Sequence, residues 1–525
     1  MTVASRFPLE TPCRLSRSVL WRLQRRFFER RGLAAWSDGE VPHHTTNSPW
    51  LARAYSRVIA AYLRDWQADL DPSQPVYIVE LGAGAGRLAF HLMRQLDELP
   101  RRFAIRYVMT DFAEANLAAW RAHSQLAGWL AAGRLDLARF DAEHDAAIGL
   151  ECTGATLAPG TVRNPVVVIA NYVFDSLPVD AFSVIDGELR EWRVRLCSIW
   201  NDTDLDDPGV LERARLGWDA HAVAPADYYG DPVLDRILDE HRAQLPDTAF
   251  TFPSASLACL SRLSALAGGR MLVLSADKGE VDADALRGQS GPNLTMHGSF
   301  SIGVNFHAIA RYACEHGGDA LLPAERPHHI ACCAFVLGAP PGGHVETRDA
   351  YAGELDAMTP SQFVSLTLST AHMAATLSLD HWNAYLGFTR RDPKLVADAL
   401  PYLLPLVSSA SAPAPDERAA LLRLLVEAWD GYFHIGEPFD LGLALGELAV
   451  ALGAWSEAIG FLEGSLRWYG ATPAALVHLA DCHDRLGQPA AARARLDEAL
   501  ALAPAHAAAL ALAARLAGRD APALR

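Results

Sequence analysis

The sequence predicts an α/β fold, a Rossmann-like class I sheet with a helical cap insertion, followed by an all-α helical-repeat domain. Three observations carry this. Apolar β-type runs recur at Val76–Leu81, Ile105–Thr110, Val166–Ala170, Met271–Ser275 and Ile330–Leu337, with helical segments between them; continuous apolar runs mark parallel strands buried on both faces. A glycine-rich strand–turn–helix, Val79-Glu80-Leu81-Gly82-Ala83-Gly84-Ala85-Gly86-Arg87, opens the series. Near the end, Gly446, Gly453, Ala458 and Leu462 recur 34 positions later as Ala480, Gly487, Ala492 and Leu496.

At 525 residues the chain is long enough for two or three domains. A net charge of -16 repels phosphate backbones and speaks against nucleic acid as a partner. The one basic run, Arg14, Arg17, Arg22, Arg25, Arg26, Arg30 and Arg31, is mixed with Leu20, Trp21, Leu23, Phe27 and Phe28. It reads as an amphipathic helix docked on the enzyme body, with a transit peptide or membrane-surface helix as the alternative. No apolar stretch reaches the roughly 20 residues that span a bilayer. Eight scattered cysteines suit a reducing compartment. Lysine occurs only at Lys278 and Lys394 among many arginines and alanines, the mark of a GC-rich bacterial genome. A bacterial cytoplasmic protein is therefore expected, with its oligomeric state open.

A helix is expected from Trp50 to about Trp66, after the polar run His43–Pro49. The irregular stretch of about 181–254 is expected to insert strand, loop and helix as a cap over the active site. Pro340-Pro341-Gly342-Gly343 reads as a boundary, and Ser408–Pro415 as a flexible linker. The domains are then 1–340, a helical connector over 341–415, and helical repeats over 416–525. Small residues at the repeated positions let antiparallel helices approach closely, and Pro504 ends the second copy. The pattern resembles the tetratricopeptide repeat, with copies at Phe439–Thr472 and Pro473–His506 and a capping helix to about Ala517. Helices within Met358–Tyr385 and Asp416–Trp429 would complete the stack.

The glycines of the first turn are spaced G-x-G-x-G, with Glu80 two places before Gly82. Pyrophosphate binding prefers G-x-G-x-x-G and a helix N-terminus that attracts anions. An acid at Glu80 repels a pyrophosphate but suits S-adenosylmethionine, whose sulfonium and ammonium are cationic. Gly82, Gly84 and Gly86 would let backbone approach this cofactor closely. Further strands end at Asp111, at Asp141 and at Asn171. An acid at the second tip can take ribose hydroxyls, and Asp141 stands near the expected adenine amino group. Glu80, Asp111, Asp141 and Asn171 should therefore line one crevice.

Asn171-Tyr172-Val173-Phe174-Asp175-Ser176-Leu177-Pro178-Val179 resembles the MidA-type methyltransferases, relatives of the mitochondrial complex I assembly methyltransferase, which read Asn-Glu-x-x-Asp-x-Leu-Pro-Val here. Ser48-Pro49 with Tyr55, Gly268–Gly279 (usually closing Asp-Tyr-Gly, here Asp277-Lys278-Gly279) and Val304–Ala310 resemble three more of its segments. The likeness covers about Trp36–Gly338. It implies a class I fold and, for the family's best-understood members, methylation of a protein arginine. The family's two glutamates are Tyr172 and Trp50 here, leaving Asp175 and Asp277 as the nearest matching acids. A guanidinium is normally gripped by carboxylates. Tyr172 and Trp50 would suit a flatter or less charged group, or simply fill space.

Methyl transfer needs an aligned nucleophile, exclusion of water and a proton acceptor, and no metal. Asn171 is a candidate to hold the acceptor, Tyr172 to pack on it, and Asp175 or His297 to take its proton. Asp202-x-Asp204-x-Asp206 lacks a calcium loop's glycine and closing acid. Cys332 and Cys333 would point to opposite faces of a strand, as core thiols. The expected partner is a protein or peptide substrate recruited by the repeats. A small-molecule methyltransferase and a non-catalytic scaffold that binds the cofactor structurally are the alternatives.

Overall fold

The computed structural model describes residues 7–37, 44–99, 103–202, 204–292, 294–297, 299–408 and 414–520, with the backbone alone at 296, 297 and 518–520. The chain forms two compact units, 1–366 and 367–525.

The centre of the first unit is a seven-stranded sheet: β1 (Val76–Glu80), β2 (Ile105–Asp111), β3 (Leu135–Arg139), β4 (Val166–Ile169), β5 (Met271–Asp277), β6 (Asp319–Leu321) and β7 (Ala331–Leu337). The spatial order is β6-β7-β5-β4-β1-β2-β3. The five strands from β5 to β3 are parallel, and β7 runs antiparallel to both β5 and β6. Every residue of β1, β4, β5 and β7 is buried, as the continuous apolar runs require. The register aligns the strand ends. Glu80 lies opposite Met109 and Ile169, Asp111 opposite Arg139, and Ile169 opposite Leu274. The order reverses between β1 and β4, and a crevice opens at such a switch point.

The helix after His43–Pro49 is Pro49–Asp65, started by proline at its first turn and capped by Ser48, which accepts from the Leu51 N–H at 3.2 Å. The basic run forms the helix Val19–Arg31, with Ser18 as its cap. Its arginines meet acids of the body: Arg25 pairs with Asp141 at 2.7 Å, Arg26 with Asp206 at 3.2 Å and Arg30 with Asp207 at 3.4 Å. Of the 202–206 loop, Asp206 and Asp202 hold arginines, Asp202 taking Arg213 at 2.8 Å, and Asp204 accepts the Asp206 N–H at 2.9 Å.

The inserted segment is mainly sheet. Strands Asp180–Ile185, Glu188–Ser198, Ala214–Ala222 and Thr248–Phe252 pair antiparallel, joined at the edge by Phe7–Pro8 and Cys13–Arg14. Helix Pro232–Gln244 packs with them, started by Asp231 and proline. Leu189, Val194 and Leu196 are buried, while Arg193 and Arg195 between them are exposed. That alternation marks a sheet with one wet face.

In the second unit, helices Leu379–Phe388, Pro393–Ser408 and Pro415–Asp430 precede Leu441–Ala451, Trp455–Tyr469, Pro473–Arg485, Pro489–Leu502 and Ala507–Asp520. Trp382, Leu386 and Leu403 share a core with Leu425, Leu445 and Leu462. A Cβ on Gly446 would sit 2.6 Å from Leu462, and one on Gly464 2.1 Å from Trp429, so the repeat's small residues are what allow these helices to touch. Among the described residues, no helix is long and apolar enough to cross a membrane.

Candidate functional site

Strand β1 delivers Glu80 to the crevice, and the chain then turns into helix Arg87–Glu98. Gly82, Gly84 and Gly86 have φ of +55°, +52° and +79°, a region that costs any side chain with a Cβ. At Gly84 a Cβ would also stand 2.6 Å from the Trp36 indole, and at Gly86 2.8 Å from Met109 Cε. The loop is tied to β2: the Ala83 N–H donates to the Thr110 carbonyl at 2.9 Å, and the Gly84 N–H to Asp111 Oδ2 at 3.2 Å.

Two adjoining lobes of about 120 and 80 Å³ open above this loop. Asp111 and Asp141 line the first, Glu80, Asn171 and Asp175 the second, and both share Phe28, Trp36, Gly82, Tyr172 and Ser176. The strand-tip residues expected on one crevice are divided between these two lobes, which share Trp36 and Gly82 in their lining. The roof is Phe28 of the basic helix together with Trp36, their rings 6.2 Å apart. No residue of 181–254 lines either lobe. The expectation that the insertion caps this site is corrected: the N-terminal segment, packed through Trp21 and Gln24 on Phe300, covers it.

Each tip residue has a distinct environment. Burial pushes the Glu80 carboxyl up to about 8, against the Tyr107 hydroxyl that donates to it at 2.9 Å and with the nearby Asp111 charge. Burial also raises Asp111, opposed by N–H donors from Ala113 (2.9 Å), Asn116 (2.9 Å) and Gly84. The Phe112 N–H adds a fourth lowering contact. At Asp141, burial works against ionisation, but Arg25 and the Glu143 N–H prevail and hold it below its usual value.

Asn171 is fully engaged on its acceptor side. Its Oδ1 accepts from Tyr55 Oη at 2.8 Å and from the Ala276 N–H at 3.0 Å, and its Nδ2 donates to the Thr46 carbonyl at 3.1 Å. The reading in which its side-chain carbonyl grips the methyl acceptor is corrected, because both lone pairs are taken. Tyr172, half-buried, sits at φ +52°, a left-handed conformation unusual for a bulky residue, held by its N–H bond to the Ala276 carbonyl at 3.1 Å. Burial, then Asp277 and Asp175, raise its phenol well above the usual value.

Asp175 is buried and accepts from Ser176 Oγ at 2.9 Å. Asp277, at the end of β5, accepts the Asp175 N–H at 3.1 Å, and the two carboxyls are hydrogen-bonded. Burial raises both, and the neighbouring Asp175 charge raises Asp277 further. The two carboxyls titrate as a unit whose acidity is weakened by burial and mutual repulsion, and Asp175 is the member facing the lobe. Lys278 follows on the rim. Trp50 lines neither lobe; it stacks on Phe363 at 4.7 Å. His297 belongs to the strand Leu294–His297, and its side chain lies outside the described residues.

Trp36 and Lys278 are among the lining residues that the sequence did not single out for the site, and Asp277 was named there only as a matching acid. Asp277 had a signal, an acid closing a β-run; Trp36 had none, since its contact with Gly84 spans 48 positions. The donor set suits a cationic ligand that carries no phosphate. Three of the carboxylates on the lobes, Glu80, Asp111 and Asp141, stand at or just past strand ends, and Asp175 sits in the 3-10 turn Phe174–Ser176. Among the described residues Glu80 has no basic partner, and the glycine cradle admits no Cβ.

Residues 58–274 match the protein-family model described as "Putative S-adenosyl-L-methionine-dependent methyltransferase", and residues 443–516 match a tetratricopeptide-repeat model. No curated protein matches the chain. Among solved structures, an uncharacterised protein from Burkholderia thailandensis is 18% identical, over 60% of this chain and 74% of that one, with a TM-score of 0.38. A member of the same superfamily and organism, bound to S-adenosyl-homocysteine, is 18% identical over 59% and 74%, at 0.38. An O-methyltransferase of neocarzinostatin biosynthesis, in complex with S-adenosyl-L-homocysteine and 1,4-dihydroxy-2-naphthoic acid, is 12% identical over 60% and 70%, at 0.23.

Proposed function

We propose that this chain, an S-adenosylmethionine-dependent methyltransferase with a tetratricopeptide-repeat tail, methylates a side-chain nitrogen of a protein or peptide. The observation that carries the reading is Asp175: a buried carboxylate, fixed by Ser176 and Asp277, on the lobe that also holds Glu80 and the glycine loop.

Bound S-adenosylmethionine supplies an electrophilic methyl carbon on a cationic sulfur. Glu80 would face its positive end, Gly82, Gly84 and Gly86 would give its backbone-hugging path, and Asp111 and Asp141 would meet the ribose and adenine. Trp36 and Phe28 exclude water from above. The acceptor nitrogen gives its lone pair to the methyl carbon while the carbon–sulfur pair returns to sulfur, and Asp175 takes the proton the nitrogen loses. Asp277 acts as a positioning residue that keeps Asp175 oriented and ionised. Tyr172 forms the wall against which the acceptor packs, and Asn171 braces that wall through Tyr55 and Ala276.

The family resemblance points to arginine. A guanidinium would enter permanently charged beside the Lys278 ammonium, so an amide nitrogen, neutral on arrival, meets less opposition. The repeat tail supports a protein substrate, since stacked helical repeats offer surfaces that hold polypeptide segments. The eight free cysteines and the scarcity of lysine support the bacterial cytoplasm as the setting.

The test is transfer of labelled methyl from S-adenosylmethionine to proteins of a bacterial extract, followed by mass spectrometry of labelled peptides. Label on a side-chain nitrogen, lost with Asp175→Asn, is expected. Label confined to small molecules, or equal labelling by the Asp175→Asn variant, refutes the proposal.

A further inference from the structure

We infer that the acceptor enters through a second groove beside the cofactor cleft and presents an acidic segment to it; this rests on the methyltransferase reading above and specifies its substrate class. The groove is open, with a volume of about 1050 Å³. Sites for small molecules run to about 300–1,000 Å³, so this one has room for a stretch of polypeptide. Lys278 and Ser301 line both the groove and the lobe that holds Asp175. The two spaces therefore meet where the acceptor must arrive. Trp192 and Trp218 of the inserted sheet, with ring centroids 5.9 Å apart, form part of the groove wall. The insertion that fails to roof the cofactor thus borders the path of the substrate.

The charge of the lining decides the chemistry. Lys278, Arg287 and Arg326 line the groove and are exposed, and Glu280 is the one acid among the lining residues. Glu280 stands 3.5 Å from Arg326, and Asp284, outside the lining, pairs with Arg287 at 2.6 Å. Lys278 makes no ion pair among the described residues. On a chain of net charge -16, a local cationic strip is where an acidic segment finds attraction instead of repulsion. A basic segment would meet like charge at the point of entry.

The experiment uses the full chain and three fluorescein-labelled hexapeptides: hexaglutamate, hexa-arginine and a glycine–serine control, read by anisotropy at low and physiological salt. Hexaglutamate should bind best and weaken with salt, and Arg287→Glu and Arg326→Glu should each lower its affinity roughly ten-fold. Hexaglutamate should also shield Lys278 from amine acetylation, read by peptide mass mapping, while Lys394, exposed and paired only with Asp398, keeps reacting. S-adenosylhomocysteine binding, followed by calorimetry on the same proteins, should be unchanged by both reversals. Preference for hexa-arginine, indifference to both reversals, or an unshielded Lys278 overturns the inference while cofactor binding stands. Free glutamate competing as well as the hexapeptide overturns the polypeptide occupant. Failure of the unaltered chain to bind S-adenosylhomocysteine overturns the methyltransferase reading and this inference with it.

Discussion

Replacing Glu80 with glutamine tests the group proposed to face the cofactor's positive end. In the cofactor-free cleft its carboxyl titrates at about 8 instead of 4.5, which opposes the ionised form by roughly 5 kcal/mol. At pH 7 about one molecule in ten carries the charge. A cationic ligand against Glu80 requires the ionised form, so binding at pH 7 should expel about 0.9 proton. Affinity should rise about ten-fold from pH 6 to 7 and level off above 8. Calorimetry of S-adenosylhomocysteine, whose ammonium is retained, in buffers of different ionisation heat measures the proton directly. Glu80→Gln should abolish the release and flatten the profile. A variant that releases the same proton, or a wild-type affinity that is flat between pH 6 and 8, refutes the reasoning. The same shift has a sign for stability. A folded-state value raised above the unfolded one gives stability that is complete below about 4.5 and is lost as pH rises through about 8. The cofactor-free chain should therefore melt lower at pH 8.5 than at pH 6, and Glu80→Gln should lessen the difference.

Asp175→Asn should slow methyl transfer about 10²–10⁴-fold while leaving S-adenosylhomocysteine affinity within a factor of about three, measured by single-turnover label transfer and calorimetry. Gly84→Ala should cost about 1–3 kcal/mol, from its left-handed backbone and the approach of Trp36. Adding Trp36→Ala should restore part of that in denaturant melts, with a coupling above about 0.5 kcal/mol. Gly464→Ala should destabilise the repeat unit by about 1–3 kcal/mol, since its methyl would enter the Trp429 ring; an unchanged melting profile would show that the indole yields freely.

What could be read from the chain followed local periodicity. The five buried apolar runs were legible as strands, and four proved parallel; Ile330–Leu337 became the antiparallel β7, because a run buried on both faces is apolar whatever its direction. The repeat tail was legible through its 34-residue spacing. The inserted sheet was partly legible: Glu188–Ser198 alternates buried and exposed positions in its second half, but the flanking loops hide the period. Asn171 shows where a strand-tip rule misleads. The rule places the residue correctly, yet its bonding to Tyr55 and Ala276, from distant segments, decides that its oxygen is unavailable to substrate. The roof was not legible as a roof. The amphipathic basic helix could be seen to dock, but nothing in residues 19–37 names the glycine loop or Phe300 as its seat.

That seat has a consequence for biosynthesis. Leu20, Leu23 and Trp21 lie on the helix Val19–Arg31, yet Trp21 and Gln24 rest on Phe300, some 270 residues downstream. Their core partners within 179–211 follow about 160–190 residues downstream, so at about 5–20 residues per second of translation the helix's greasy stripe meets its first downstream partners after roughly 8–40 seconds and Phe300 later still. That sticky face is an early client for chaperones, and the catalytic chamber is sealed only after most of the enzyme's first unit has been made.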